Sequence, residues 1–257
     1  MKIFSFRLRS IIVVAAVILA AAAGIFFMSR TLTDAVSADT RLIPIYNVET
    51  SSNNVAISFN FAEKSEDLDK ILSILEAYDV KATFFLLGLT AESERESVEK
   101  IYSCGHEIGN HSYSHSDMTA LSEQEIADDI QRCNETVKSI IGVSPTLFRA
   151  PSGSYDNKTI LAAGSLNMTV VQWDTDSLDW TDNSAEDIFN RVTESVQRGS
   201  IIQFHTGTAH TAEALPQILD YLTQNNFTAV TVGELIYRDN YTIDYKGTQI
   251  KADGSEQ

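Results

Sequence analysis

His111 and His115 stand four residues apart in the segment 105–115, which reads Gly-His-Glu-Ile-Gly-Asn-His-Ser-Tyr-Ser-His. On a helical turn that spacing sends both imidazoles off one face. Two neutral imidazoles so placed are a start on a divalent-metal site. A catalytic zinc takes three protein ligands and keeps one position for water, so a third ligand must come from elsewhere in the chain. Taken alone, the pair also reads as two polar loop residues beside a strand end. The elements around it decide between the two.

Residues 55–61, 81–87, 106–109, 147–148, 168–173, 200–204 and 227–232 are short, mostly apolar runs that read as strands. Between most of them lie amphipathic helices. Leu68, Ile71, Leu72 and Leu75 follow at helical spacing, and 94–104 carries Val98 and Ile101 inward. Ser122 and Glu125 form a capping box that opens a long helix over Ile126, Ile130, Cys133, Val137 and Ile141, closed by Gly142. Ser184 caps a helix with Ile188, Val192 and Val196, and 211–225 buries Leu215, Ile218 and Leu222. Continuous apolar strands between amphipathic helices predict a parallel sheet covered on both faces. No phosphate-binding glycine loop supports an open doubly wound sheet. The reading is therefore α/β, a distorted (β/α) barrel of seven strands.

In such barrels chemistry sits at the C-terminal strand ends. The polar clusters fall there: Asn60 after the first strand, His111 and His115 after the third, Arg149 after the fourth. Asp174, Asp176 and Asp179 follow the fifth, and His205 ends the sixth. His106 reads as a structural strand-end histidine, His210 as a solvent-facing loop residue and Trp173 as core.

The N-terminus has a different character. Lys2, Arg7 and Arg9 make residues 1–10 a basic cytoplasmic flank, and 11–28 is an unbroken apolar run. That run spans about 27 Å as a helix, close to a bilayer core, and the flank orients the remainder outward. A single-span anchor with an extracytoplasmic domain is expected. The alternative is a signal sequence cleaved after Val36-Ser37-Ala38, giving a secreted protein. Residues 29–54 read as linker, 55–236 as one domain and 237–257 as a polar tail. The formal net charge is −16 and grows more negative once the N-terminal Lys and Arg are set aside. That argues against nucleic acid as a partner and against electrostatic attraction to an anionic membrane surface. Oligomeric state leaves no signature. Cys104 and Cys133 are the two cysteines. Outside the cytoplasm they could bridge, or stay as buried thiols.

The ordered strand-end clusters resemble the polysaccharide deacetylases of the NodB-homology group, carbohydrate esterase family 4, over about residues 55–236. The membrane-anchored plan resembles the sporulation-type members. The His-Ser-x-x-His motif is intact as His111-Ser-Tyr-Ser-His115. Arg149-Ala-Pro151 matches Arg-x-Pro, with Ser152 where tyrosine is usual. Asp179-Trp180 is present, and Gln203-Phe-His205 carries Gln203 where leucine is usual. Lys81-Ala-Thr-Phe-Phe85 is the family's typical second strand.

The resemblance implies a metal-dependent hydrolase that removes N-acetyl or O-acetyl groups from a cell-wall or peptidoglycan-like polysaccharide. It implies His111 and His115 on a divalent metal, zinc first, and His205 as general acid tuned by Asp179. Arg149 would hold the base, Trp180 would seat a sugar ring, and Ser152, Gln203 and Tyr155 would line the substrate cleft. The first motif departs. The family reads Thr-Phe-Asp-Asp-Gly where this chain has Ser58-Phe-Asn60-Phe61-Ala62. Asn60 stands at the base position and cannot take a proton near neutral pH. Phe61 stands at the third ligand and cannot bind a metal. Glu63, Asp174 or Asp176 could substitute as the carboxylate. The departure also implies an alternative: an impaired family member serving as a carbohydrate-binding or envelope-assembly protein.

Overall fold

The computed structural model describes residues 41–62, 66–181 and 183–252. The expected membrane segment 11–28, the possible cleavage site and Glu63 lie outside them.

The central strand is β2 (Asn54–Phe61), buried along almost its whole length. Its alternation sets the two faces. Val55, Ile57, Phe59 and Phe61 point into the helix-covered core. Ser58 and Asn60, the intervening residues, turn to the polar interior of the sheet, where Arg149 meets them. Around β2 run β3 (Thr83–Leu86), β4 (Glu107–Asn110), β5 (Leu147–Phe148), β6 (Thr169–Val170), β7 (Thr175–Asp176) and β8 (Ile201–His205). Their order is β6-β5-β4-β3-β2-β8-β7, and every pairing is parallel. Strand β9 (Thr228–Val230) pairs the start of β2. The path curls into a half-barrel that opens between β6 and β7. The seven-stranded, distorted α/β barrel is thus what forms.

Seven of the covering helices are α1 (Leu68–Ala77), α2 (Gly88–Ser93), α3 (Arg95–Ser103), α4 (Glu123–Ile141), α5 (Asn157–Ser165), α6 (Ala185–Ser195) and α7 (Thr211–Gln224). The Ser122–Glu125 box caps α4, and Gly142 ends it in the left-handed region at φ 81°. Phe59 stacks between Phe84 and Phe204, with centroids 4.9 and 5.5 Å away. Those rings tie the three central strands to the helices above them.

Three expectations change, and helix α5 is added. The run 168–173 supplies strand only at β6, because Val171 leaves the sheet path to bridge Ile45. The run 227–232 ends as α8 (Val232–Leu235), opened by a Thr231–Glu234 capping box. Helix α5 has no strong apolar stripe: it buries Thr159, Ala162 and Ala163 and relies on its Asp156 cap. The boundaries at 54 and 237 cut through structure. Strands β1 (Asn47–Val48), β10 (Tyr241–Ile243) and β11 (Thr248–Lys251) form a second sheet in the order β1-β11-β10. Gln249 is fully buried there and exchanges both amide groups with the Tyr237 backbone. A polar tail by composition is therefore ordered through at least residue 252. Both cysteines are free thiols, Cys104 exposed and Cys133 buried.

Candidate active site

The histidine segment is not helical. It leaves β4 as a loop with Ser112 at φ 68° and His115 at φ 58°. Asn110 accepts from Ser112 N at 2.7 Å and donates to Ile130 O and Asn134 Oδ1 on α4. Asp129 of α4 takes Tyr113 N at 2.7 Å, Ser114 N at 3.2 Å and Ser114 Oγ at 2.6 Å. These anchors fold the loop back, so the His111 and His115 rings come within 5.3 Å, centroid to centroid. The pair converges through loop anchoring rather than through helical period. His111 is buried, and burial, reinforced by His115, pulls its pKa down to about 3. It is neutral, with Nδ1 2.8 Å from Arg149 O, so Nδ1 carries the proton and Nε2 keeps its lone pair.

Arg149 follows β5 and is wholly buried. Its guanidinium lies 4.0 Å over the Phe85 ring. It donates to Asn60 Oδ1 at 3.0 Å, Ser58 Oγ at 2.9 Å and Gln172 O at 3.2 Å. Among the described residues no carboxylate lies within ion-pair distance of it. Desolvation pulls its pKa to about 9, opposed by the nearby Asp176 charge.

A guanidinium only donates, so Asn60 must present its oxygen to Arg149 and its amide nitrogen to the cleft. That nitrogen lies 3.3 Å from His205 Nε2 and 3.4 Å from Gln203 Oε1. His205 Nδ1 stands 2.8 Å from Asp179 Oδ1. Nδ1 therefore holds the proton, and Nε2 receives the Asn60 N–H. The other Asp179 oxygen accepts from His205 N and Thr211 Oγ1. Hydrogen-bond polarity runs one way, from Arg149 through Asn60 to His205 and Gln203.

A cavity of about 830 Å³ brings together Asn60, His111, His115, Ser152, Asp179, Trp180, Gln203 and His205. Trp180 stands 62% exposed, available as a stacking platform. Arg149 sits behind Asn60. Tyr155 is not among the lining residues; its hydroxyl accepts from Tyr46 Oη at 3.3 Å. Trp173, expected in the core, is half-buried and forms a wall. Asp176 lines the cavity, whereas Asp174 accepts from Ser200 Oγ and Ile201 N below it. The loop from Thr206 to Ala209 forms a further wall that the sequence reading missed. Its one local signal is Gly207, whose N–H is held by Asp67 at 2.6 Å. His106 is structural: its Nδ1 accepts from Ala82 N.

Phe61 is fully buried in the helix-facing core and takes no part in the cavity. Among the described residues no group of three His, Cys, Asp or Glu side chains could hold a metal. His111 and His115 thus offer two of the three ligands a catalytic zinc requires, and among the described residues no third side chain completes the set.

The family model for polysaccharide deacetylase matches residues 47–171, which takes in Asn60, the histidine pair and Arg149. The uncharacterized protein YlxY of Bacillus subtilis is 36% identical over 193 residues, 75% of this chain and 60% of that protein. A peptidoglycan-N-acetylglucosamine deacetylase of Bacillus cereus is 35% identical over 182 residues, 69% of this chain and 66% of that protein. The chain thus spans less than two thirds of each of these curated relatives. Among solved structures, BA3943 of Bacillus anthracis, a CE4 family pseudoenzyme, superposes with TM-score 0.73 and 31% identity, over 77% of this chain and 70% of that one. A BA3943 mutant with restored enzymatic activity matches equally well. Sequence and fold point to one lineage: the chain belongs to the polysaccharide deacetylase family, carbohydrate esterase family 4.

Proposed function

We propose that the cleft engages an N-acetylated, peptidoglycan-type glycan and that its chemistry is removal of the acetyl group, slowed by the loss of a carboxylate base. One observation carries this reading: the histidine pair, the Asp179–His205 couple and Trp180 line one cavity, with Arg149 bonded to the Asn60 that faces it. The Bacillus cereus relative is named for the same bond class. Amide hydrolysis needs an activated water, a polarised carbonyl and an acid for the departing amine. A divalent cation, zinc foremost, supplies the first two in metal-dependent hydrolases. His111 and His115 are the side chains here that would touch it. Trp180 seats a sugar ring, and Asp179 orients His205 for proton exchange at Nε2. Of the substitutes among the described residues, Asp176 is the carboxylate placed to orient a water. Losing a general base costs about 10²–10⁴-fold in rate.

A second reading is favoured by Asn60 itself. Its amide occupies the His205 Nε2 lone pair, and Phe61 is turned into the core. A site so arranged holds a glycan without cleaving it, as a carbohydrate-binding or envelope-assembly protein. The BA3943 pair, inactive and restored, belongs with this reading.

Acetate release from N-acetylated peptidoglycan, with bound metal quantified alongside, separates the two. Release by the wild type above a His205→Ala control supports hydrolysis. Release only after Asn60→Asp supports the binding role. No release and no glycan retention by any variant removes both. We also propose that residues 11–28 anchor the chain with the domain outside the cytoplasm. Protease accessibility in intact cells tests this, and full protection would overturn it.

A further inference from the structure

Gln203 and Asp176 are directly paired across β8 and β7, so their side chains neighbour one another, and both line the cavity. The Gln203 amide is oriented by what lies behind it. Asn60 Nδ2 donates to Gln203 Oε1, which leaves Nε2 as the end turned away from Asn60. Gln203 is 2% exposed, and among the described residues its Nε2 donates to nothing. Asp176 Oδ1 accepts from Leu178 N at 2.9 Å, and Oδ2 accepts from nothing among the described residues. A spare donor thus sits beside a spare acceptor on the floor of a cleft whose rim carries an indole.

A methyl group resting on that floor would leave a buried amide N–H unpaired, which is costly. A hydroxyl satisfies both neighbours at once, because it accepts one bond and donates another. A carboxylate suits the floor poorly, since it meets the Asp176 charge. Resting on the glycan-binding reading above, we infer that Gln203 and Asp176 select the acyl chain of the bound sugar, preferring a hydroxylated N-acyl group, of which N-glycolyl is the smallest, over N-acetyl.

The test is calorimetric titration of the full chain with two β-1,4-linked glucosamine trisaccharides, one N-glycolylated and one N-acetylated. The wild type binds the N-glycolyl trisaccharide about tenfold more tightly, the size of one buried hydrogen bond. Gln203→Leu reverses the preference, and Asp176→Ala abolishes it. Equal or tighter binding of the N-acetyl trisaccharide by the wild type overturns the acyl preference and leaves glycan binding standing. Binding of neither overturns both. The wild-type comparison decides even where a variant fails to fold.

Discussion

Asn60 Nδ2 points at His205 Nε2 across 3.3 Å, so the proton between them belongs to the asparagine. A carboxylate in that place would reverse the bond, since it can only accept when ionised. Asn60→Asp is therefore expected to give Arg149 a charged partner, release His205 Nε2 for proton donation and raise acetate release by about 10²–10⁴-fold. In the wild type, imidazole nitrogen chemical shifts should identify His205 as the Nδ1–H tautomer. A resting Nε2–H tautomer would contradict the donor chain from Arg149.

Phe61→Asp should not behave as a repair. The ring is fully buried among helix-facing side chains, on the opposite face of β2 from Asn60. Its replacement removes a core ring and buries a carboxylate, at a cost of about 3–5 kcal/mol or more. Thermal unfolding with and without zinc checks this. Zinc should raise the variant's midpoint no more than it raises the wild type's, and a larger zinc-dependent rise in the variant would mean residue 61 can reach the histidines.

Asp129 holds the histidine loop by three hydrogen bonds from Tyr113 and Ser114. Asp129→Ala should cost about 1–3 kcal/mol by leaving loop donors unsatisfied. It should also weaken zinc binding at His111 and His115, because their approach depends on the fold of that loop. Parallel denaturant titration and metal titration would show the two losses together; loss of stability with unchanged metal affinity would restrict Asp129 to a packing role.

His106 is held neutral at neutral pH: burial, with help from Lys81, pulls its pKa to about 4. The unfolded chain, with a histidine near 6.5, binds more protons between those values, so stability rises with pH across that window. The contribution is fully present above about 6.5 and lost toward pH 4, on the order of 3 kcal/mol. Asp67 and Asp174, both raised by burial, act in the opposite direction. The measurement is therefore the difference in stability between wild type and His106→Asn from pH 7 to pH 4, which should shrink as pH falls.

Cys104 is exposed, whereas burial pushes the Cys133 thiol up to about 12. Native thiol titration should count one reactive cysteine, rising to two on denaturation. A count of zero in the native protein would indicate a bridge.

The order of the strands from β2 to β6 and of β8, the helices α1, α3, α4, α6 and α7, the α4 and α6 caps and the strand-end positions of Asn60, His111, Arg149, Asp179 and His205 were readable from the chain, because apolar periodicity and capping are local signals. The tail around Gln249 was not, since a polar residue satisfied by a distant backbone looks the same in sequence as one facing water. Helix α5 escaped for a related reason: alanines and a threonine make a buried face without an apolar stripe.

The sequence alone determined which groups are available: two imidazoles four residues apart, an aspartate and a histidine at strand ends, and no acid at residues 60 and 61. Only the folded chain decided how they act. The alternation of β2 sent Phe61 to the helices and Asn60 to Arg149. A donor-only guanidinium then oriented Asn60, which set His205 and Gln203 in turn. Direction in a hydrogen-bond chain depends on who faces whom across strands far apart in sequence, and composition and spacing carry no record of that.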